Sequence, residues 1–273
     1  MNYLTREVRF ALNSPEADDP SGRKNSWACW PRMQGLRPFV QLRVTLLGKA
    51  NPQTGYLCDI KVVDDMIQNL LVQFLAAEVA EGRDCPRMLV DSSWQKLNQA
   101  IAESDALAGI QLDEVTLATT PFTRYSVHRQ KADGEKANMV TVSQQFEFSA
   151  SHRLHCADLS DDENKALFGK CNHPNGHGHN YVVEVSVDVD SKGGSPNVMP
   201  ELETTVMEQV IDRFDHKYLN LDVEQFQSLN PTVENIAVVV WELLDGRFEQ
   251  SSLNKVRVYE TPKTWADYSG DES

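Results

Sequence analysis

The chain has 273 residues, 41% hydrophobic and 24% charged, with a net charge of −14, which is long for one domain and comfortable for two. That charge excludes nucleic acid as the main partner, because phosphate backbones need a basic face, yet a local basic pocket can still serve a small anion. No apolar run is long enough to cross a bilayer, the longest being 236–241.

In chain order, FVQLRVTLLG (39–48) alternates as a half-buried strand does, and VVDDMIQNLLVQFL (62–75) and SWQKLNQAIAES (93–104) read as helices. VTLATTPFTRY (115–125) closes this half, and the polar HRQKADGEKAN (128–138) reads as a linker. The pattern then returns. QQFEFSASH (144–152) and HNYVVEVSVDVD (179–190) are strands, ELETTVMEQVIDRF (201–214) and TVENIAVVVWELLDG (232–246) are helices, and VRVYETPKTWADY (256–268) ends the series.

An offset of 141 sets Val115 on Val256 and also Leu42 on Val183, so the chain is expected to carry an internal repeat. The expected organisation is a module over 1–127 without metal ligands, a linker over 128–139 and a catalytic module over 140–273. Each module reads as two strands, two helices and two strands, an α+β layer with its helices on one face of an antiparallel sheet. Open sheet edges favour oligomerisation.

Six of the seven histidines lie between 152 and 216. His177 and His179 share one face of a strand, with Gly178 leaving the other face empty. His152, at the end of its own strand, can supply a third imidazole, giving an open three-nitrogen site suited to zinc, though other transition metals also accept imidazole. His155 and His173 read as loop residues. Cys171 stands open to two roles: a fourth ligand closing the site, or a thiol acting as base or nucleophile. Asp215 and His216, at a helix end, form the adjacent acid and imidazole that a proton relay needs. In the offset register His177, His179 and Glu260 fall on Leu36, Pro38 and Thr119, and with Phe10 matched to Phe148, Ser14 four residues later takes the place of His152. The chemistry therefore belongs to the second half.

FSASHRL (148–154), GKCNHPNGHGHNY (169–181), FDHKYLN (214–220), NPTVENIA (230–237) and VYETP (258–262) together resemble the 6-pyruvoyl-tetrahydropterin synthases, whose family includes the 6-carboxy-tetrahydropterin synthases of deazapurine (queuosine) biosynthesis. The first half resembles the same module only in its frame. The resemblance implies tandem tunnelling-fold (T-fold) modules, each with a four-stranded antiparallel sheet and two helices. It implies that His152, His177 and His179 hold Zn2+, and that Cys171 is the general base working with Asp215 and His216. Glu260 would anchor the pterin ring, with Thr232 and Glu234 near the same pocket.

The implied reaction is loss of triphosphate from 7,8-dihydroneopterin triphosphate, a lyase step of tetrahydrobiopterin biosynthesis. Arg153, Lys165 and Lys170 are candidates to meet the triphosphate. Five residues separate Cys171 from His177, as in the pyruvoyl rather than the carboxy synthases. GGSPNVMPEL (193–202) departs from the family pattern, with Pro200 near the expected polar residue. The second reading is a carboxy synthase and the third a non-catalytic pterin or metal binder. The charged start MNYLTREVRF lacks the apolar core of a signal peptide. Five scattered cysteines suggest no disulfide framework. A cytoplasmic homo-oligomer is expected, three tandem chains imitating a six-module ring, without nucleic-acid or membrane partners.

Overall fold

The computed structural model describes residues 1–13, 25, 27–129, 139–191 and 198–270. Ser14, residues 130–138 of the expected linker and residues 193–197 of the glycine-rich stretch lie outside the described residues. The chain divides into two compact units, Met1–Val142 with Val189–Pro196, and Ser143–Asp188 with Asn197–Ser273.

In the first unit strands β1 (Asn2–Ala11), β2 (Phe39–Gly48), β3 (Gln111–Thr120) and β4 (Thr123–His128) pair antiparallel in that order. Alternation in β2 buries Val40, Leu42, Val44 and Leu46 on one face. Helix α1 covers residues 60–80, and α2 is Pro86–Ala102. Proline sits in the first turn of α2, where its missing N–H costs nothing. Leu89, Val90, Trp94, Leu97 and Ile101 form its buried stripe.

From residue 139 onward, β5 (Met139–His152), β6 (His177–Asp190), β8 (Ser252–Thr261) and β9 (Thr264–Tyr268) follow one another in the sheet, residues 143–152 and 177–188 of the first two belonging to the second unit, while the short β7 (Lys217–Tyr218) runs parallel to the end of β5. Side-chain pairs Ser143–Ser186, Gln145–Glu184 and Ser149–Asn180 show β5 and β6 running in opposite directions. Tyr181, Val183, Val185 and Val187 are fully buried on one face of β6. On the other face Glu184, Ser186 and Asp188 are buried with hydrogen-bonding partners from Gln145, Ser143 and Asn254, as buried polar groups must be. Helix α3 is Asp161–Phe168, α4 covers 199–214, and α5 is Val233–Leu244. Helix α5 lays Ile236, Ala237, Val240, Leu243 and Leu244 in the core and packs on β8 and β9.

The two units repeat each other in detail. Leu42 pairs with Leu117 and Val183 with Val258, an offset of 141 on both strands, and the bulges at Thr45/Leu46 and Ser186/Val187 keep that offset. The closing hairpins share it too, with irregularities at Ala118/Thr120 and Tyr259/Thr261.

One helix in each unit carries a π segment, Ile67–Val72 in α1 and Met207–Ile211 in α4. The cause is legible in spacing. Val63, Ile67, Leu71 and Leu75 are buried at strict fours, as are Leu202, Val206, Val210 and Phe214. In a plain α-helix such a stripe drifts by about 40° per step, and a wider π turn brings it back onto the sheet. No helix among the described residues is long and apolar enough to cross a membrane.

Candidate metal centre and adjoining cleft

The β5–β6 register places His152 across from His177 and Phe148 across from Tyr181, with Ala150 facing His179. The small Ala150 leaves room for that imidazole. The rings of His152, His177 and His179 pack with centroids 4.5–5.2 Å apart. The Nε2 atoms of His152 and His177 are 3.1 Å apart. Glu260, on β8, brings Oε1 to 3.4 Å from His152 Nε2 and 3.5 Å from His179 Nε2. One ligand atom from each of these four side chains lies within 4.8 Å of the others.

His152 is fully buried, and one ring nitrogen, Nδ1, lies 2.7 Å from the Pro231 carbonyl. With Nδ1 donating there, the Nε2 lone pair is turned to the cluster. Burial pushes this imidazole down to about 4, against the pull of the Pro231 carbonyl, so it is neutral near pH 7. Burial, and then the neighbouring His179, also lowers His177. His177 Nδ1 and His179 Nε2 are buried without a hydrogen-bond partner.

These features fit a cation. Three imidazoles each bring a ring nitrogen to one small volume beside a carboxylate, and the deepest of them, His152, is neutral with its Nδ1 held by the Pro231 carbonyl. Two nitrogens bound to one tetrahedral zinc would stand roughly 3.3 Å apart, close to the spacing between His152 and His177. Expected as an open three-histidine site, the cluster has Glu260 at its fourth side. Cys171 is not among its members. The reason is geometric: Glu260 lies on the neighbouring strand and on the same face, whereas Cys171 belongs to the 3₁₀ turn Gly169–Asn172.

That turn is delivered by α3, which the sequence reading left unassigned although Ser160-x-x-Glu163 forms a capping box at its start. The Cys171 carbonyl accepts from Leu154 N at 2.9 Å. Asn172 Nδ2 donates to the Leu154 carbonyl at 2.7 Å and lies 3.0 Å from His155 Nδ1. Arg153 Nε donates to the Asn172 carbonyl at 3.3 Å. His155 and Arg153 thus brace the Cys171 turn, while His173 Nδ1 accepts from Asn175 N within its own loop.

Gly176 closes this segment at φ +70°, and a Cβ there would stand 2.8 Å from the His152 carbonyl oxygen and 2.9 Å from Tyr218 Cε2. Gly176→Ala is therefore expected to cost more than the roughly 1–2 kcal/mol of a left-handed residue. A calorimetric melt should show a lower transition, by about 2–4 °C per kcal/mol.

Asp215 and His216 follow α4. His216 Nδ1 is 2.8 Å from Asp215 Oδ2, and Asp215 Oδ1 accepts from Ser149 N at 2.8 Å. The Ser149 N–H first, and then His216, hold the Asp215 carboxyl below its usual range. His216 has φ 57°, and its N–H donates to the Ser149 carbonyl at 2.6 Å. Its side chain is 83% exposed. An open cleft of about 940 Å³ is lined by His179, Glu260, His216, Gly178 and Asn180 among others. The structure thus brings His216 and Glu260 to one cleft, but Cys171, Thr232 and Glu234 are not in its lining. Thr232 caps α5, accepting from Asn235 N at 3.3 Å, and Glu234 is exposed on its first turn. Pro231 is the contributor that the sequence did not reveal, because a backbone carbonyl leaves no residue-type signal.

The sequence profile described as 6-pyruvoyl tetrahydropterin synthase matches residues 141–271. The chain is 42% identical over 140 residues to the human 6-pyruvoyl tetrahydrobiopterin synthase, covering 50% of this chain and 97% of that protein. It is 25% identical over 150 residues to the 6-carboxy-5,6,7,8-tetrahydropterin synthase of Haemophilus influenzae, covering 48% of this chain and 99% of that protein. Among solved structures, the 6-pyruvoyl tetrahydropterin synthase of Caenorhabditis elegans matches at 43% identity with a TM-score of 0.45, covering 49% of this chain and 96% of that one. The family profile spans every segment that builds the histidine cluster and the cleft, and the chain belongs to the 6-pyruvoyl tetrahydropterin synthase family.

Proposed function

We propose that the chain is a zinc-dependent 6-pyruvoyl-tetrahydropterin synthase, converting 7,8-dihydroneopterin triphosphate to 6-pyruvoyl-tetrahydropterin with release of triphosphate. The observation that carries this reading is the convergence of His152, His177 and His179 beside Glu260 in a segment 42% identical to a synthase of that name. Zinc held by the three imidazoles would polarise and acidify the hydroxyls of the substrate side chain.

The chain's own residues supply the rest. Glu260, which lines the cleft, accepts hydrogen bonds from the amino group and ring N–H of the pterin and fixes its orientation. Cys171 removes the carbon-bound proton, and Asp215 orients His216 to carry protons at the cleft. Thr232 and Glu234 support the pocket through α5, whose N-cap Thr232 follows Pro231, the residue whose carbonyl holds His152.

We read residues 1–127 as a degenerate copy of the module over 140–273, joined through 128–139, a reading supported by the common offset of 141 in strand register. Three chains would then complete a six-module ring, checked by the mass of the native particle. The five cysteines, none in a disulfide, accord with a reducing, cytoplasmic setting.

The deciding experiment incubates the protein with 7,8-dihydroneopterin triphosphate and identifies products by mass spectrometry. Release of triphosphate with a pyruvoyl pterin is expected. A carboxy pterin with acetaldehyde would overturn the pyruvoyl assignment, and no release would overturn the enzyme reading.

A further inference from the structure

Strand β5 ends at His152, and the segment that follows α4 runs beside that end. Its contacts come in order. At Ser149 the N–H donates to Asp215 Oδ1 at 2.8 Å, and the carbonyl accepts from His216 N at 2.6 Å. β7 then pairs Ala150 with Lys217 and Ser151 with Tyr218. Backbone pairing stops there, because the chain coils into the helical turn Leu219–Asp222, closed by Tyr218 N donating to Asp222 Oδ2 at 2.8 Å. A side chain continues the ladder. Asn220 Oδ1 accepts from Arg153 N at 2.8 Å, and Asn220 Nδ2 donates to the Arg153 carbonyl at 2.9 Å. A carboxamide carries the same donor and acceptor as a peptide unit, so Asn220 stands in for the next strand residue. Leu219 beside it is fully buried and anchors the turn.

We propose that Asn220 is a positioning residue for proton transfer: by clamping Arg153 it fixes the Asp215–His216 pair against the strand end that carries His152. The inference rests on the functional reading above. His152 has holds of its own, its burial and the Pro231 carbonyl. His216 has fewer. Its side chain is 83% exposed, and past the bonds to Asp215 and Ser149 its segment is tied to β5 by only two paired residues. Its backbone stands at φ 57°, a left-handed conformation that a histidine keeps only when its surroundings hold it there. Two hydrogen bonds from one side chain, at the far end of so short a ladder, decide how firmly the relay is registered against the metal centre.

The test compares Asn220→Ala and Asn220→Asp with wild type in the full chain. Hydrogen exchange over residues 215–220, followed by mass spectrometry, is expected to quicken about tenfold in Asn220→Ala, the order of one lost hydrogen bond. Zinc content and the affinity for pterin, read by its fluorescence, are expected to match wild type. With 7,8-dihydroneopterin triphosphate, kcat is expected to fall about tenfold to a hundredfold, the scale of a misplaced reacting group, while KM holds. Asn220→Asp keeps the acceptor for Arg153 N and loses the donor, so it should recover part of both losses, and it carries the same comparison if Asn220→Ala does not fold. In a His216→Ala background, Asn220→Ala should lower kcat no further, because both act through one imidazole. Unchanged exchange and kcat in Asn220→Ala, or full additivity with His216→Ala, would overturn the proposal. So would loss of zinc in step with kcat, which would place Asn220 in the service of the metal ligands instead. If wild type releases no triphosphate, the functional reading falls, and exchange over 215–220 alone then judges the clamp.

Discussion

His177→Ala is expected to empty the protein of zinc and to lower triphosphate release by about 10³-fold or more, while leaving the melting transition close to wild type. A bound metal contributes several kcal/mol to a charged transition state, and each 1.36 kcal/mol is a factor of ten. His177 can be removed more cheaply because it is only half-buried, its Nδ1 has no partner, and its Nε2 meets only His152. His152→Ala should behave differently. It is fully buried and its ring meets the Pro231 carbonyl, so its loss leaves a cavity and an unpaired buried acceptor, a penalty of roughly 1–3 kcal/mol from the carbonyl alone. Both variants should lose zinc by elemental analysis, but only His152→Ala should melt markedly earlier. Zinc retained at one ion per chain in His177→Ala would remove the basis of the site.

Cys171→Ala is expected to lower turnover about 10²–10⁴-fold, the usual contribution of a positioned proton acceptor, without loss of zinc or of pterin affinity. Its separation from the cluster makes the case. Glu260, not Cys171, accompanies the three histidines, so removing the thiol takes no ligand away. The turn that carries it is held by backbone and by Asn172 and Arg153, so the fold should persist. Parallel measurements of zinc content, pterin binding and product formation separate the roles. Lost zinc would mean that the thiol is a ligand, and undiminished turnover would mean that the proton leaves by another group.

Much of this was legible in the sequence, for reasons that differ by element. Alternation in FVQLRVTLLG marks a strand whose ends the structure reproduces at Phe39 and Gly48. The offset of 141 needs only two aligned strands, and the ladder extends it through both bulges. That His177 and His179 share a face follows from strand geometry alone. Meeting His152 required one further step, the antiparallel pairing of β5 with β6.

What stayed hidden concerns neighbours rather than faces. Nothing in local spacing says that Glu260, some eighty residues beyond His179, arrives against the same nitrogens, or that a proline carbonyl orients His152. Helix α3 was missed with its capping box in plain view, because a short, charged, weakly periodic stretch reads as loop. The π segments were missed because strict fours resemble ordinary amphipathic spacing until several steps are counted.

The widened turn in α4 bears on how the second unit came by its chemistry. An extra residue in a helical turn rotates everything after it by about 100°, and it therefore sets where Asp215 and His216 are aimed. Yet α1 carries the same irregularity and has Leu75 and Ala76, not an acid and an imidazole, at the positions that match Asp215 and His216. The irregularity is thus a habit of the scaffold, kept for the fit of helix to sheet, and the reactive pair was seated on an aim that packing had already decided.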